Sequence, residues 1–300
     1  MASVNRITVL AVGLIGGSLA KALREKNYAN EIVGWGRNES TLQRAIELGV
    51  IDSYELDLAQ AVQGSDIVVI ATPTLIAVDM LQQLAELVPA TTIITDVASV
   101  KGNLLRAAKQ FFGEVPANLV LGHPIAGSEK SGVEAVNEKL FINHRVILTP
   151  SQETSIEAVS TITDMWEVTG ADVVTMAVDD HDEVLAATSH LPHILAYALV
   201  DALAGQKEQQ DIFRFAAGGF RDFTRIASSD PKMWHDIALA NDKALLKMID
   251  LFSAQMNELR DAIAKADSEA ITGCFTRAKA ARDHFSDILS KQHQSTITDE

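Results

Sequence analysis

Cysteine is almost absent from this chain. Cys274 stands alone in 300 residues, which excludes an intramolecular disulfide and suits a reducing cytoplasm. Positive charge is also scarce: 25 Lys and Arg face 40 Asp and Glu, for a formal net charge of −15. No basic run gathers those cations, which speaks against nucleic acid as a partner. Long apolar runs are missing too, none approaching the roughly 18 residues of a membrane span. The N-terminal "RITVLAVGLIGGSLA" imitates a secretory signal, but Gly13, Gly16, Gly17 and Ser18 interrupt it and the pattern passes into an amphipathic helix. With no repeat and no low-complexity linker, a cytoplasmic globular chain is left. Its composition, 47% hydrophobic and 22% charged, supports one large domain or two of ordinary size.

Short apolar runs recur through the first half at Ile7–Val12, Glu31–Trp35, Asp66–Ala71, Thr92–Asp96, Leu119–Leu121, Val146–Thr149 and Asp172–Thr175. Helical patterns at Gly16–Glu25, Ser40–Leu48 and Ala77–Leu87 separate the early ones. Solid apolar strands alternating with helices predict a parallel sheet covered on both faces. From about residue 180 the strand signal stops. "HDEVLAATSHLPHILAYALVDALAG" reads as a helix kinked or broken at Pro192. Asp230 and Pro231 supply a cap and a first-turn proline for a long helix. Its apolar positions Leu245, Met248, Ile249, Phe252, Met256, Leu259 and Ile263 keep helical spacing. The expected division is therefore an α/β domain over 1–177 and an all-helical domain over 178–300. The apolar helix face suits either a single-chain bundle core or a homodimer.

"ITVLAVGLIGGSLAKALRE" is a strand, a glycine turn and a helix. It matches the dinucleotide fingerprint G-x-G-x-x-G at Gly13 and Gly16 but has Ala11 in the first position, which ordinary backbone angles would tolerate. Free amides over Gly13, Leu14, Ile15 and Gly16 would receive the phosphates at the helix start. Arg37 follows the second strand where an acid would hold the ribose of NAD, which leans toward NADP. "IVVIATPT" and "IITDVASVKG" carry Thr72, Ser99 and Lys101 to the carboxyl ends of their strands, where open α/β sheets bind ligands. "LGHPIAG" puts His123 on the same rim, where an imidazole can take a hydroxyl proton while hydride leaves the same carbon. His190 and His193 in "SHLPH" lack a zinc spacing, and Asp179, Asp180, Asp182 and Glu183 more simply favour a helix N-terminus. Arg221 and Arg225, in a glycine-rich loop of a cation-poor chain, suit carboxylates.

In order and spacing, the glycine turn, "TDVASVK", "GHPIAGSEKSG", "SHLPH" and "GGFRDFTRIASSDPKMW" resemble the prephenate/arogenate dehydrogenase family over about residues 6–260. The resemblance implies a Rossmann-like dinucleotide-binding domain followed by a helical dimerisation domain, and a homodimer. It implies oxidative decarboxylation of a small dicarboxylate, with hydride passing from ring C4 to NAD(P)+. It further implies His123 as base assisted by Ser99, Arg225 on a substrate carboxylate, and His190 near the substrate side chain. Glu129, Arg221 and Trp234 would surround the entrance, with Lys101 behind them and no metal required. Two other readings stay open at this point: a β-hydroxyacid type dehydrogenase, and a dinucleotide sensor without catalysis.

Overall fold

A computed structural model describes residues 4–127, 130–206 and 214–297. The chain divides into two compact units, residues 1–245 and 246–300. The first unit opens with β1 (Val4–Leu10), α1 (Leu14–Glu25), β2 (Ala29–Trp35), α2 (Glu39–Glu47), β3 (Ser53–Glu55), α3 (Leu58–Val62) and β4 (Ile67–Ile70). It continues through α4 (Thr74–Leu87), β5 (Ile93–Asp96), α5 (Gly102–Phe112) and β6 (Leu119–Val120). These strands form one six-stranded sheet in the order β3-β2-β1-β4-β5-β6, with every pair parallel. The reversal of strand order beside β1 is the arrangement of dinucleotide-binding sheets, and it opens a crevice at the strands' carboxyl ends.

Alternation along the central strands gives each face its own core. Ile7, Val9, Ile67 and Val69 join one cluster with Leu19, Leu23 and Trp166. Leu10, Val68 and Ile70 join the other with Leu81, Leu84 and Leu104. Strands buried on both sides must be apolar throughout, which is why they read as solid runs.

The chain leaves the parallel sheet after β6. β7 (Gly122–Pro124) pairs antiparallel with β8 (Arg145–Leu148), which pairs parallel with β9 (Asp172–Thr175), while α6 (Ile156–Glu167) lies between them in sequence. This separate three-stranded sheet corrects the single sheet expected from the apolar runs, and it places His123 within a strand of its own rather than at the end of β6.

Helices follow: α7 (Val178–Leu185), a π-helical turn over Ala186–His190, and α8 (Leu191–Ala204). The expected break at Pro192 is instead a wide turn ahead of it. The proline falls in the first turn of α8, where its missing amide and ring are absorbed by the looser spacing. Next come α9 (Gly218–Thr224), a 3-10 turn at Arg225–Ser228, and α10 (Pro231–Ala240), with Asp230 capping the amide of Met233. The long helix expected from Pro231 onward is in fact two. Asn241, at φ −111° and ψ 35°, ends α10, and α11 (Asp242–Ala264) begins beyond it.

The second unit takes most of α11 together with α12 (Ser268–Ile297). Leu251, Phe252, Met256 and Ile263 on α11 are exposed in the single chain, as are Phe275 and Phe285 on α12. Among the described residues no helix is long and apolar enough to cross a membrane.

Candidate active site

The turn after β1 forms one wall of the crevice. A Cβ on Gly16 would lie 2.5 Å from the carbonyl oxygen of Ala11 and 2.6 Å from Cβ of Ala71, so glycine is required for the helix to approach the strands. Gly13, the N-cap of α1, has nothing within 4 Å of a built Cβ. Its backbone therefore faces open space, and the first-turn amides at Leu14, Ile15 and Gly16 follow directly. A glycine cradle at a helix start is what a pyrophosphate needs. Ala11 does not have the ordinary angles that would make its side chain harmless: its φ is +75°, in the left-handed region that glycine adopts freely and alanine does not. Across the crevice, Thr72 follows β4, with its Oγ1 buried and unpartnered among the described residues.

Arg37 is exposed just after β2. Its neighbours are already engaged: Asn38 caps α2 through the Thr41 amide, Ser40 donates to Asn38, and Glu39 accepts from the Tyr54 hydroxyl at 2.9 Å. Glu39, the acid nearest to Arg37 in sequence, is therefore held on the Tyr54 hydroxyl.

The turn after β5 folds back on its own aspartate. Asp96 Oδ2 accepts from the Ala98 amide at 2.8 Å, while Ser99 sits half-buried at the tip. Lys101, expected near the ligands, instead points inward and is fully buried. Its ammonium donates to Asp96 and, at 2.6 Å, to the carbonyl of Gly122, whose amide donates to Asp96 Oδ1 at 3.1 Å. An ammonium can be buried here only because a carboxylate and a carbonyl meet it. Burial still dominates both partners, pushing Asp96 up and Lys101 down from their ordinary values. The pair clamps both backbone groups of the residue preceding His123.

His123 is buried, and its Nδ1 meets Nε2 of His181 at 2.9 Å. His181 Nδ1 in turn meets Oδ1 of Asp182 at 2.8 Å. Asp182 was read with Asp179, Asp180 and Glu183 as one of the acids that favour a helix N-terminus. It is instead turned onto α5, accepting from the amides of Lys101 and Gly102 at 2.9 and 2.8 Å. Burial would raise its carboxyl, but the His181 ring and these two amides outweigh it and hold it below the usual range. Burial drives His123 far below 6.5, and the neighbouring Lys101, His181 and His190 add to the effect. At neutral pH His123 is an uncharged imidazole, the form that can accept a proton.

His190 closes the π-helical turn, fully buried. The Asn241 amide nitrogen donates to the carbonyl of Asp182 at 2.8 Å and lies 3.2 Å from His190 Nδ1. Because that amide nitrogen can only donate, Nδ1 is the acceptor and the proton sits on Nε2. That Nε2 and Nε1 of Trp234 are both buried without a partner among the described residues. The two rings meet edge to face at 6.1 Å, and His193 stacks on Trp234 at 3.6 Å. Burial takes His190 down to about 4, with His181 and His193 assisting and Asp182 opposing. His193 is lowered by burial and by the charge of Arg225, against its bond to the Ser189 carbonyl.

His123, His190 and Trp234 are thus carried by one framework, and Arg225 reaches it electrostatically from an exposed position. Arg221 is not drawn in: it is exposed and faces Asp222 at 3.7 Å. Glu129 lies outside the described residues. Sequence reasoning missed His181, Asp96 and Asn241, and misread Asp182. The adjacent His181-Asp182 pair was the available signal, but only tertiary packing shows that it faces His123.

Sheet order, glycine cradle and a buried neutral histidine beyond the strand ends define a nicotinamide-dinucleotide oxidoreductase. Residues 19–175 match the family model for the prephenate dehydrogenase nucleotide-binding domain, and residues 177–277 match that for its dimerization domain. The chain belongs to the prephenate dehydrogenase family. It is 35% identical over 283 residues to cyclohexadienyl dehydrogenase of Zymomonas mobilis, covering 93% of this chain and 95% of that protein. It is 38% identical to prephenate dehydrogenase of Bacillus subtilis, covering 93% and 76%. Among solved structures it resembles prephenate dehydrogenase of Aquifex aeolicus in complex with hydroxyphenyl propionate and NAD+, with a TM-score of 0.87 and 35% identity over 94% of this chain and 98% of that one. Synechocystis arogenate dehydrogenase follows with a TM-score of 0.79 and 30% identity over 93% and 99%.

Proposed function

We propose that this chain oxidises and decarboxylates prephenate, or its amino counterpart arogenate, giving 4-hydroxyphenylpyruvate or tyrosine. The observation that carries the reading is His123, an imidazole kept neutral by burial beside a dinucleotide crevice. The oxidised nicotinamide, when bound, supplies the hydride acceptor. His123 takes the proton of the C4 hydroxyl as the C4–H bond breaks and a carbonyl develops. The bond from the ring to its carboxylate then breaks, CO2 leaves, and the electron pair enters the ring. The oxygen becomes phenolic and recovers the proton from His123. The base therefore borrows one proton and returns it, while aromatisation drives the step, so orientation and proton placement are the enzyme's main tasks.

Ser99, at the tip of the turn after β5, hydrogen-bonds the same hydroxyl and positions the nicotinamide, while Gly13, Leu14, Ile15, Gly16 and Thr72 hold the dinucleotide. His190 Nε2–H and Trp234 Nε1–H offer donors to the substrate side chain. Arg225 binds a substrate carboxylate. Residues 1–177 form the dinucleotide domain and 178–300 the helical substrate and dimerisation domain, whose exposed Leu251, Phe252, Met256 and Ile263 suit a second copy. A cytoplasmic location fits the lone cysteine. Arg37, standing after β2 where an acid would hold the ribose of NAD, admits NADP+ at least as well as NAD+.

The test is a steady-state matrix of prephenate and arogenate against NAD+ and NADP+, repeated with Arg37→Asp. Turnover with prephenate and a shift toward NAD+ in the variant are expected. No turnover with either substrate would remove the reading. Strong NAD+ preference that Arg37→Asp leaves unchanged would remove the role of Arg37.

A further inference from the structure

We propose that His181 and Asp182 are positioning residues that order the protons of His123, so that its Nε2 carries the lone pair that receives the substrate proton. The inference rests on the reading of His123 as base and adds how that base is prepared.

The direction of each bond follows from the fixed end of the chain. Asp182 accepts from the backbone amides of Lys101 and Gly102, donors that cannot be reversed, so the carboxylate is an acceptor at both oxygens. His181 Nδ1, 2.8 Å from Oδ1, must therefore carry the proton, which leaves a lone pair on His181 Nε2. That lone pair faces His123 Nδ1 at 2.9 Å, so His123 carries its proton on Nδ1 and Nε2 is open. His181 is fully buried and Asp182 nearly so, which keeps solvent from these bonds; the opposite tautomer of His123 would set two ring-nitrogen lone pairs against each other, and that of His181 would set two N–H groups against each other and a lone pair against the carboxylate. The same framework holds the rings in place: the amides that fix Asp182 belong to the start of α5, and Lys101 clamps Gly122 beside His123. When His123 becomes an imidazolium, its Nδ1–H shares the new charge through His181 with an anchored carboxylate. A base whose proton is on the wrong nitrogen binds substrate but cannot act, as in hydrolases whose orienting carboxylate is lost.

The test combines a spectroscopic signature with two substitutions in the full chain. Two-bond 1H–15N correlations of 15N-histidine protein at pH 7.5, assigned by variants, read each tautomer without substrate or cofactor. Both His123 and His181 are expected as Nδ1–H. His181→Phe keeps ring volume and leaves Asp182 on its two amides. It should lower kcat on the order of 10²-fold, through loss of tautomer control, with both KM values within about twofold because no ligand-binding group is touched. His181→Gln places an amide oxygen where Nε2 was, and should recover most of that loss. His123 found as Nε2–H, a folded His181→Phe enzyme with wild-type kcat, or a Gln variant as impaired as Phe would each overturn the proposal. If His181→Phe does not fold, the wild-type spectrum and His181→Gln decide it. A correct tautomer pattern in a protein that does not turn over prephenate or arogenate would instead refute the functional reading.

Discussion

Removing the ammonium of Lys101 should unsettle this protein more than the loss of almost any other cation. In Lys101→Met the side-chain volume is nearly kept, so no large cavity opens. What remains is the Asp96 carboxylate, fully buried, with only the Ala98 and Gly122 amides as donors. Breaking a buried pair from one side costs about 3–5 kcal/mol, and the orphaned Gly122 carbonyl adds about 1–3 kcal/mol. Protonation of Asp96 limits the damage, since burial already raises its carboxyl. A carboxyl raised in the folded state binds more protons folded than unfolded, so the stability deficit of the variant should widen as pH rises above about 4. The expectation is a loss of about 4 kcal/mol at pH 7.5 in urea melts followed by tryptophan fluorescence. Adding Asp96→Asn should return about 2 kcal/mol, because no charge is then left buried, and neighbouring sites of this kind are not additive. A single variant that loses less than about 1 kcal/mol, or a double variant that is simply additive, would refute the reasoning.

Two other outcomes follow from the same structure. Ala11→Gly relieves a left-handed alanine at φ +75°, worth about 1–2 kcal/mol, against about 0.5–1 kcal/mol of extra chain entropy; Tm should rise by up to about 3 °C, and a fall would show that the Ala11 methyl makes a contact of its own. His190, lowered from 6.5 to about 4, binds fewer protons folded than unfolded, so its contribution is complete above pH 6.5 and is lost as pH falls toward 4. That loss is worth about 3 kcal/mol, and His190→Gln should flatten this acid limb in urea midpoints measured between pH 7 and 4.5.

Much of the fold could be read before any coordinates because the central strands are buried on both faces. Ile67–Ile70 and Ile93–Asp96 lie within the expected runs; Asp172–Thr175 coincides with one too, although it is an edge strand of the smaller sheet and only partly buried. β3 escaped notice because three residues, Ser53–Glu55, on the sheet edge and only half-buried, leave no apolar run. β7 was merged with β6 because a single residue, Leu121, separates strands that belong to different sheets, and sequence carries no mark of that change of partner. At the site, His123 stood out through its place after a strand. Lys101 did not reveal its burial, since a lysine in a turn reads as solvated until Asp96 and Gly122 are seen to enclose it. Asp182 was hidden among Asp179, Asp180 and Glu183, and only the packing of α7 against the start of α5 separates it from them.

The central claim is that His123 is the base, and His123→Asn tests it most directly. Asparagine keeps a polar group toward His181 and touches none of the glycine cradle. With the enzyme shown to be folded and its affinity for oxidised nicotinamide dinucleotide measured by fluorescence titration, single-turnover and steady-state rates with prephenate are compared with wild type. Loss of a general base predicts unchanged cofactor affinity and a kcat lower by about 10²–10⁴; a folded variant turning over at near the wild-type rate would contradict the account.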